Sequence, residues 1–444
     1  MTQILIIGAG PTGLTLAIEL LRRNVEVRIV DVANEYFKGS RGKGIQPRSL
    51  EMLDFMGIAD EVMASGTLYP YIKLHLGPFG IKAWSLGTRH AATEDRPFPN
   101  LIMLEQWRTE EILRAKVASL GGKVELGAGI KALHQNEKHV TVTLTNGEAV
   151  VADYVAACDG GRSTTRGLLG LRLIGASVDE GVSVVADVEM PDLDRKFWHA
   201  YPLRRGGMHS LAPLPGGQLF QLQAPAAIAA DSLERGIQRL TGKRVNRVVW
   251  QSNYRHQTRM LDQYRVGRVL IAGDAAHVHP PSGGQGLNTG LQDACNLGWK
   301  LVSAIRTGDA SILDSYEAER LPVAASVLDM TKALHTSVSK SRGDRTNQLG
   351  LSYNDGRLST GVTVGDLKPG DRVPDQRLAD GSRLFETMRH GGATQLMRPD
   401  LNHVLIRPDG YVAEVTAKSV RSYHGHEVVQ VEAAREKQPI PKES

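Results

Sequence analysis

Residues 3–13 read QILIIGAGPTG, an apolar stretch that passes directly into the pattern GxGxxG. The unbroken apolar run at positions 4–7 is typical of a parallel strand that is buried on both faces. Gly8 permits a tight turn, Gly10 lets the backbone approach a pyrophosphate, and Gly13 lets the next helix lie close to the strand. The N–H groups at the start of that helix bind phosphate oxygens well. We therefore expect a dinucleotide site formed by Gly8, Gly10, Pro11, Thr12 and Gly13.

A second predicted strand, residues 25–30, ends at Asp31. An acidic residue about 20 positions after the first glycine hydrogen-bonds a ribose hydroxyl and would repel a 2′-phosphate. Short glycine patterns also occur in ordinary turns, but strand, glycines, helix, second strand and acid follow one another here in the expected order. The pattern indicates a bound dinucleotide without deciding between FAD and NAD.

Residues 267–300 read GRVLIAGDAAHVHPPSGGQGLNTGLQDACNLGWK and contain a second candidate segment. Positions 269–272 predict another buried strand, and Asp274 follows at its carboxyl end, where ligands bind in such sheets. An ionised carboxylate only accepts hydrogen bonds, so it suits the hydroxyls of a ribityl chain. A glycine-rich helix start near Gly286, Leu287 and Asn288 could meet the anionic edge of a reduced flavin with backbone N–H groups. The simpler alternative is a polar loop that caps an ordinary helix.

Three separated motifs now stand in one order: GAGPTG at 8–13, CDGGRS at 158–163, and GDAAH at 273–277 continuing to Asn288. In this order they resemble the single-component FAD-dependent aromatic hydroxylases, the flavoprotein monooxygenases typified by para-hydroxybenzoate hydroxylase. The stretch PPSGGQGLNTGLQDACNLGWKL at 280–301 is most similar to the bacterial polyketide, rifamycin and substituted-phenol hydroxylases. The resemblance covers about residues 1–330.

The resemblance implies further cofactor contacts. Arg41, in the segment SRGKG, would lie near the FAD phosphates or the flavin edge, although a solvated basic turn is the alternative. Gln106 and Arg108 match a helix start whose glutamine reaches the ribityl chain, and Asp159 matches an Asp-Gly motif associated with both FAD and nicotinamide. The isoalloxazine ring would lie near Pro281, Gly284 and Gly286.

The implied reaction is the hydroxylation of a phenolic or polyketide-like aromatic molecule with NADPH or NADH and dioxygen, through a flavin C4a-hydroperoxide. No base for deprotonating a phenol stands out. Tyr71, His75, Tyr201 and His209 lie in segments assigned to the pocket side, but each is expected to serve as wall or surface. His277 and His279 have HxH spacing without an evident third ligand, so we expect no metal.

The predicted fold class is α/β: a Rossmann-like FAD-binding domain with an inserted β-sheet substrate domain and a short C-terminal thioredoxin-like remnant. The FAD-binding domain is predicted to be discontinuous, comprising residues 1–66, 97–175 and 260–340. Residues 67–96 and 176–259, where 182–188 and 217–222 look like strands, would form the substrate domain. Residues 345–444 would form the remnant, because they are too few for the whole thioredoxin-like domain of larger members and contain no CxxC.

Composition limits the other classes. The 444 residues carry a net charge of +5, but their basic residues are scattered without interleaved aromatics, so we expect no nucleic-acid partner. No window offers about 18 uninterrupted apolar residues for a membrane span, and we expect a cytoplasmic protein, with a homodimer as an open alternative to a monomer. Two other functions stay open: a flavin-linked dehydrogenase or oxidase, and a non-catalytic flavin-binding ligand sensor.

Overall fold

The protein is described by a computed structural model that covers residues 2–76, 79–202, 208–280, 283–336, 344–354, 356–363, 367–398 and 402–434. The elements of the first part are, in chain order, β1 (Thr2–Ile7), α1 (Pro11–Leu21), β2 (Val27–Val30), β3 (Gly44–Ile45), α2 (Pro47–Phe55), α3 (Ala59–Ser65), β4 (Thr67–Leu68), β5 (Tyr71–Leu76), β6 (Phe79–Trp84), β7 (Ile102–Met103), α4 (Gln106–Ser119), β8 (Val124–Glu125), β9 (Ile130–Gln135), β10 (Val140–Leu144), β11 (Ala149–Ala157) and α5 (Thr164–Leu168).

The middle part contributes β12 (Ile174–Glu189), β13 (Phe197–Pro202), β14 (Met208–Pro213), β15 (Leu219–Pro225), α6 (Leu233–Thr241), β16 (Arg247–Met260), β17 (Arg265–Val266), β18 (Val269–Ile271), β19 (His277–Val278), α7 (Gly286–Thr307) and α8 (Asp314–Thr336). The last part contributes α9 (Asp344–Asn347), β20 (Thr360–Gly361), α10 (Leu384–Thr387), β21 (Ala393–Met397), β22 (His403–Ile406), β23 (Val412–Thr416), β24 (Ser422–Tyr423) and β25 (His426–Glu432).

The first sheet has the order β17-β18-β11-β1-β2-β8, and the antiparallel strands β10 and β9 continue from β11. Strand β1 lies parallel to both β11 and β2, and β11 lies parallel to β18. The residues of β1 from Ile4 to Ile7 are buried, as the apolar run predicts. Parallel strands with helices α1 and α7 over them confirm the α/β class and the Rossmann-like arrangement around the first glycine motif.

The second sheet has the order β19-β16-β12-β15-β14-β13-β5-β6. Successive residues of a strand point to opposite faces. One face is apolar and is covered by α6; its core contains Val184, Leu211, Phe220, Leu222, Leu233 and Ile237. The opposite face carries polar side chains, namely Asp187, Ser210, Gln221, Gln223 and Ser252. This second set, which we call the polar face, is turned towards residues 40–43.

A third, small sheet has the order β3-β7-β4. Its three strands lie next to three other segments in the chain. Gly44 directly follows the 40–43 segment, Met103 lies shortly before α4, and Leu68 lies shortly before β5. The 40–43 segment, the start of α4 and the second sheet are thereby brought together.

The residues after 344, which we call the C-terminal unit, form a mixed sheet of order β20-β23-β22-β21-β25-β24. This short α/β segment fits the predicted remnant. Its apolar residues, such as Phe385 and Tyr411, belong to the same core cluster as Ile4 of β1 and Leu14 of α1. The C-terminal unit is therefore packed into the main core of the molecule.

The division into domains at the predicted boundaries stays a prediction. One strand departs from a simple division, because β19 lies within 260–340 and yet pairs with β16 of the second sheet. In the described ranges, no helix combines the length and apolarity needed to cross a bilayer.

Candidate functional site

The first glycine turn is held so closely that side chains are excluded from two positions. Gly8 has φ +102, and a Cβ there would lie 2.3 Å from the carbonyl oxygen of Cys158. A Cβ on Gly13 would lie 1.9 Å from the carbonyl oxygen of Gly8. Gly10 differs, since no described atom lies within 4 Å of its Cβ position. Gly8 and Gly13 thus serve the contact between strand and helix, whereas Gly10 borders open space.

Helix α1 begins in that space without a side-chain cap. Gly10 is its N-cap residue, Pro11 occupies the first turn, and no side chain accepts a hydrogen bond at the cap. The free N–H groups of a first helical turn form an anion site together with the helix dipole. The arrangement fits a pyrophosphate.

Thr12 joins the two glycine-containing segments. A Cβ added to Gly273 or to Gly290 would lie 2.4 Å from Thr12 Oγ1. The start of α1, the end of β18 and the first turns of α7 therefore meet at one point, although Thr12 and Gly273 are far apart in the chain.

Asp31 lies at the end of β2 and is tied to the glycine turn. Its carboxylate accepts hydrogen bonds from the backbone N–H of Ala9 at 2.7 Å and of Ala33 at 2.8 Å. Burial raises the pKa of nearby Glu110 to about 7, and the charge of Asp31 adds to this increase. The Asp31 carboxylate keeps further lone pairs for a sugar hydroxyl.

Asp274 follows β18 in a short 3-10 turn, Gly273–Ala275. Its side chain is exposed, although Gly273 and Ala275 on either side are buried. The surrounding protein desolvates this carboxyl and raises its pKa, while the charges of His277 and Arg41 act in the opposite direction. The carboxylate thus lies in a cleft with Arg41 nearby.

The first residues of α7 lie beside Asp274. The Cβ position of Gly286 is 3.7 Å from Asp274 Oδ1, and the Cβ position of Gly42 is 3.4 Å from Leu287 Cδ1. Gly42 also donates its backbone N–H to Gln106 Oε1 at 3.0 Å. The structure therefore brings together the predicted residues Arg41, Gln106, Asp274, Gly286 and Leu287.

Asn288 connects α7 to the small sheet and to the glycine loop before the helix. Its Oδ1 accepts the backbone N–H of Gln46 at 2.8 Å, and its Nδ2 donates to the carbonyl oxygens of Gly44 at 2.8 Å and of Gly284 at 2.7 Å. Gly284 adopts φ +64. Pro281, also predicted here, lies outside the described residues.

Two predicted residues lie away from Asp274, although the Cα atom of Asp159 is 2.9 Å from the Cβ position of Gly8 and so borders the first glycine turn. Asp159 accepts hydrogen bonds from Ser163 Oγ at 2.5 Å and from Thr165 N at 3.0 Å, so its carboxylate organises the start of α5. Arg108 forms partly exposed ion pairs with Glu111 and Glu61. The structure does not bring either residue into contact with Asp274 or the start of α7.

The polar face of the second sheet closes over the 40–43 segment. Asp187 accepts the N–H of Ser40 at 2.9 Å, and Gln221 contacts both Ser40 and Lys43. The Lys43 ammonium also lies 4.9 Å from the centre of the Trp198 ring. Burial raises the pKa of Asp187 to about 6. Sequence reasoning missed Asp187, Lys43 and Gln221, because no local pattern shows that strands β12 and β15 meet this segment.

The four residues considered for the pocket side lie on the other face. Tyr201 pairs with His209, and both share the face of Leu211, which packs under α6. The Nε2 atom of His75 lies 2.9 Å from the Nδ1 atom of His199, and the His75 ring stacks on the ring of Tyr201. Tyr71 and His75 of β5 follow the same alternation through the pairing of β5 with β13. These four side chains therefore lie on the face opposite the polar face, because a strand turns every second side chain away from a given face.

A cavity of about 270 Å³ lies between the 67–101 segment and the end of α9 at residues 346–347. Its lining includes Gln46, Tyr69, Arg89 and Asn100. Gln46 Nε2 donates to the carbonyl oxygen of Gly283 at 3.1 Å, so the cavity borders the loop that precedes α7. Among the residues that the structure describes, no group of three or more His, Cys, Asp or Glu side chains is placed to hold a metal ion.

A family model for an FAD binding domain matches residues 1–331. A flavin-dependent monooxygenase of Mycobacteroides abscessus is 37% identical over 462 aligned positions, covering 93% of this chain and 97% of that protein. The chain belongs to the FAD-dependent monooxygenase family. A rifampicin monooxygenase of Rhodococcus hoagii is 33% identical to the present chain, and the alignment covers 93% of the present chain and 95% of that protein. The solved structure of an anhydrotetracycline hydroxylase from Streptomyces rimosus matches the present chain with a TM-score of 0.75 at 27% identity, covering 94% and 96%.

These findings confirm the family expected from the three motifs and the cofactor, FAD. Reduced nicotinamide and dioxygen are the co-substrates typical of such a monooxygenase. The alternatives of a flavin-linked dehydrogenase or oxidase and of a flavin-binding sensor are not favoured by these relatives. The uncapped start of α1, the open space at Gly10 and the accessible Asp274 fit FAD.

Proposed function

We propose that this monooxygenase hydroxylates an electron-rich aromatic small molecule, phenolic or polyketide-like, with NADPH or NADH and dioxygen. The observation that carries the proposal is the cavity lined by Gln46, Tyr69, Arg89 and Asn100, because Gln46 also contacts the loop that precedes α7. The amide, hydroxyl and guanidinium groups of this lining suit a molecule with several hydroxyl or carbonyl groups. The names of the rifampicin and anhydrotetracycline enzymes support the same substrate class.

The proposed cofactor contacts follow the position of each residue. We assign the pyrophosphate to the start of α1, with Gly8, Gly10, Pro11, Thr12 and Gly13. We assign the adenosine ribose to Asp31, the ribityl chain to Asp274 and Gln106, and the flavin edge to Arg41, Gly286, Leu287 and Asn288. We also assign Asp159 to cofactor binding, because it borders the glycine turn at Gly8 and holds the start of α5. Bound at these residues, FAD would supply the redox chemistry that couples oxidation of the nicotinamide to activation of dioxygen.

The protein's own part is to orient the substrate and keep water from the reacting atoms. The cavity beside Gln46 and Tyr69 would admit the substrate and hold its polar groups, while the buried contacts of Asp187 and Gln221 keep the 40–43 segment in place. The sequence contains one GxGxxG fingerprint, assigned to FAD, so the nicotinamide is proposed to dock transiently.

Oxygen labelling tests the proposal. The purified protein should be yellow and release intact FAD on denaturation, and with ¹⁸O₂ and NADPH an accepted aromatic should gain one labelled oxygen by mass. Product formation that needs an artificial electron acceptor and carries no label would indicate a dehydrogenase. Binding of aromatics without NADPH consumption would indicate a sensor.

Two further points belong to the proposal. A homodimer is proposed on the grounds that the edge strand β6 exposes Phe79 and Ile81, and light scattering at several protein concentrations would test it. A cytoplasmic location is proposed because the reaction consumes NADPH or NADH, and fractionation of cells that express the protein would test that.

A further inference from the structure

The carboxylate of Asp293, in the third turn of α7, is completely buried and holds the turn that carries Asp274. Its Oδ2 accepts the backbone N–H of Gly273 at 3.1 Å and the Nε2–H of His277 at 2.7 Å. Gly273 and His277 lie on either side of Asp274 in the chain. One carboxylate oxygen therefore fixes both ends of the segment from which the Asp274 side chain projects.

A buried arginine holds Asp293 from the other side. Arg320 of α8 donates its Nε–H to Asp293 Oδ1 at 2.7 Å and is itself fully buried. Burial alone would raise the pKa of Asp293. The charges of Arg320 and His277 nevertheless hold this pKa below its usual value. Asp293 is therefore ionised, and both of its oxygens have defined partners.

The C-terminal unit supplies the last member of this chain of contacts. Arg320 donates a second hydrogen bond to Tyr353 Oη at 2.9 Å and a weaker one to the carbonyl oxygen of Thr289 at 3.3 Å. The Tyr353 ring lies against Tyr411, with 4.5 Å between ring centres, and 5.1 Å from the guanidinium of Arg407. Contacts therefore run from the C-terminal unit through Arg320 and Asp293 to the Asp274 turn.

We propose that Asp293 is a positioning residue for FAD binding and that the C-terminal unit, through Tyr353 and Arg320, holds Asp293 in place. The inference rests on the proposed contact between Asp274 and the ribityl chain. It gives the C-terminal unit a part in cofactor binding, although none of the residues named in this unit is assigned to the cofactor site.

The charge of Asp293 predicts a second measurable effect, on the reduction potential of the bound flavin. Replacing Asp293 by Asn removes one negative charge near the flavin site and leaves the charge of Arg320 without its carboxylate. Positive charge near a flavin stabilises its reduced, anionic form. The reduction potential of the flavin that stays bound should therefore shift to more positive values.

The experiment compares Asp293→Asn and Tyr353→Phe with Tyr423→Phe as the control. Tyr423 is a second tyrosine of the C-terminal unit, and its hydroxyl is buried without a hydrogen-bond partner among the described residues. Phenylalanine keeps the ring contacts in both tyrosine variants. The measurements are the dissociation constant of FAD for the apoprotein, the visible circular dichroism and reduction potential of the bound flavin, and the melting temperature of the apoprotein.

We expect Asp293→Asn to weaken FAD binding at least tenfold, to change the visible circular dichroism and to raise the reduction potential. Tyr353→Phe, which leaves an N–H of Arg320 without its acceptor, should weaken FAD binding several-fold and change the visible circular dichroism, whereas Tyr423→Phe should match the wild type in both. Equal FAD affinities in the two tyrosine variants would overturn the role of the C-terminal unit. Wild-type affinity and dichroism in Asp293→Asn would overturn the positioning role.

Two further variants keep the outcomes separate. If Asp293→Asn does not fold, Arg320→Lys, which keeps the charge and loses the guanidinium geometry, takes its place with the same expected direction. If Asp274→Ala retains FAD normally, the ribityl assignment fails, and with it the premise of the inference. Incorporation of ¹⁸O into a product tests the proposed reaction independently of all these variants.

Discussion

Among single residues, Gly10 and Gly13 differ sharply although both belong to one motif. An added Cβ finds open space at Gly10, where φ is −76, whereas at Gly13 it would collide with the backbone of Gly8. We expect Gly10→Ala to keep the melting temperature of the apoprotein and to bind FAD several-fold more weakly. Gly13→Ala should lose about 1–3 kcal/mol of stability, the usual cost of overpacking. Scanning calorimetry measures the stability of both variants, and titration with FAD measures their affinity for the cofactor. Unchanged FAD affinity in Gly10→Ala would contradict the pyrophosphate assignment.

Asp274 is the residue whose loss should affect cofactor retention most directly. Asp274→Ala removes the carboxylate at the proposed ribityl site, whereas Asp153→Ala removes one from the middle of β11, away from the strand ends. We expect the first variant to lose FAD during gel filtration and the second to retain it. The absorbance ratio of flavin to protein after the column measures the difference. Equal ratios would remove the reason for assigning Asp274.

At the level of elements, the first turn of α7 is where oxygen transfer should be most sensitive. The Cβ position of Gly286 lies 3.7 Å from Asp274 Oδ1 and 3.9 Å from His279 Nδ1, so alanine makes ordinary contacts there and valine crowds the cleft. We expect Gly286→Val to raise the hydrogen peroxide formed per NADPH consumed, with Gly286→Ala close to the wild type. Peroxide assays during turnover measure this coupling. Unchanged coupling in the valine variant would show that the flavin does not rest beside this turn during oxygen transfer.

Helix α8 and the C-terminal unit meet through a buried ion pair whose loss should be costly. Arg407 donates to both oxygens of Glu319 at 2.8 Å, and its side chain is fully buried. Removing one partner of a buried pair costs roughly 3–5 kcal/mol, so Arg407→Ala should lose about that much stability. Arg239→Ala breaks an exposed pair with Asp231 and should cost at most about 1 kcal/mol. Urea denaturation measures both, and similar midpoints would contradict the difference.

For the whole molecule, buried histidines should make stability depend on pH. Burial, with the charge of Arg23, lowers the pKa of His426 to about 3. The unfolded chain takes up a proton near pH 6.5, whereas folded His426 does not until about pH 3, so its contribution to stability is lost as the pH falls across this window. Buried carboxyls with raised pKa values, such as Glu105 at about 7, act in the opposite direction.

Comparing the wild type with His426→Gln isolates the contribution of His426 to the pH dependence of stability. In His426→Gln, the denaturation midpoint should fall less between pH 6.5 and pH 4 than in the wild type, whatever its value at neutral pH. Parallel pH profiles for the two proteins would exclude a contribution from His426.

The sequence by itself determined the features that are local in the chain. The class of fold followed from glycines next to apolar runs, because a strand, a tight turn and a helix within about 30 residues leave little choice of residues. The family and the cofactor followed from the resemblance carried by three separated motifs. The strand predicted at 25–30 begins two residues later, at Val27, and the strand predicted at 217–222 is found at Leu219–Pro225. Both strands exist as predicted and only their ends differ, because hydrophobic alternation locates a strand better than it locates the ends of the strand.

Only the tertiary structure decided which distant residues meet and which face they share. The contacts of Asp187 with Ser40, and of Asp293 with Arg320 and Tyr353, join separate elements that no spacing in the sequence connects. The same holds for Tyr201 and His75, which belong to the expected sheet but point away from the 40–43 segment. The physical reason is that the face of a strand depends on register with its neighbours, and one residue of shift reverses every side chain.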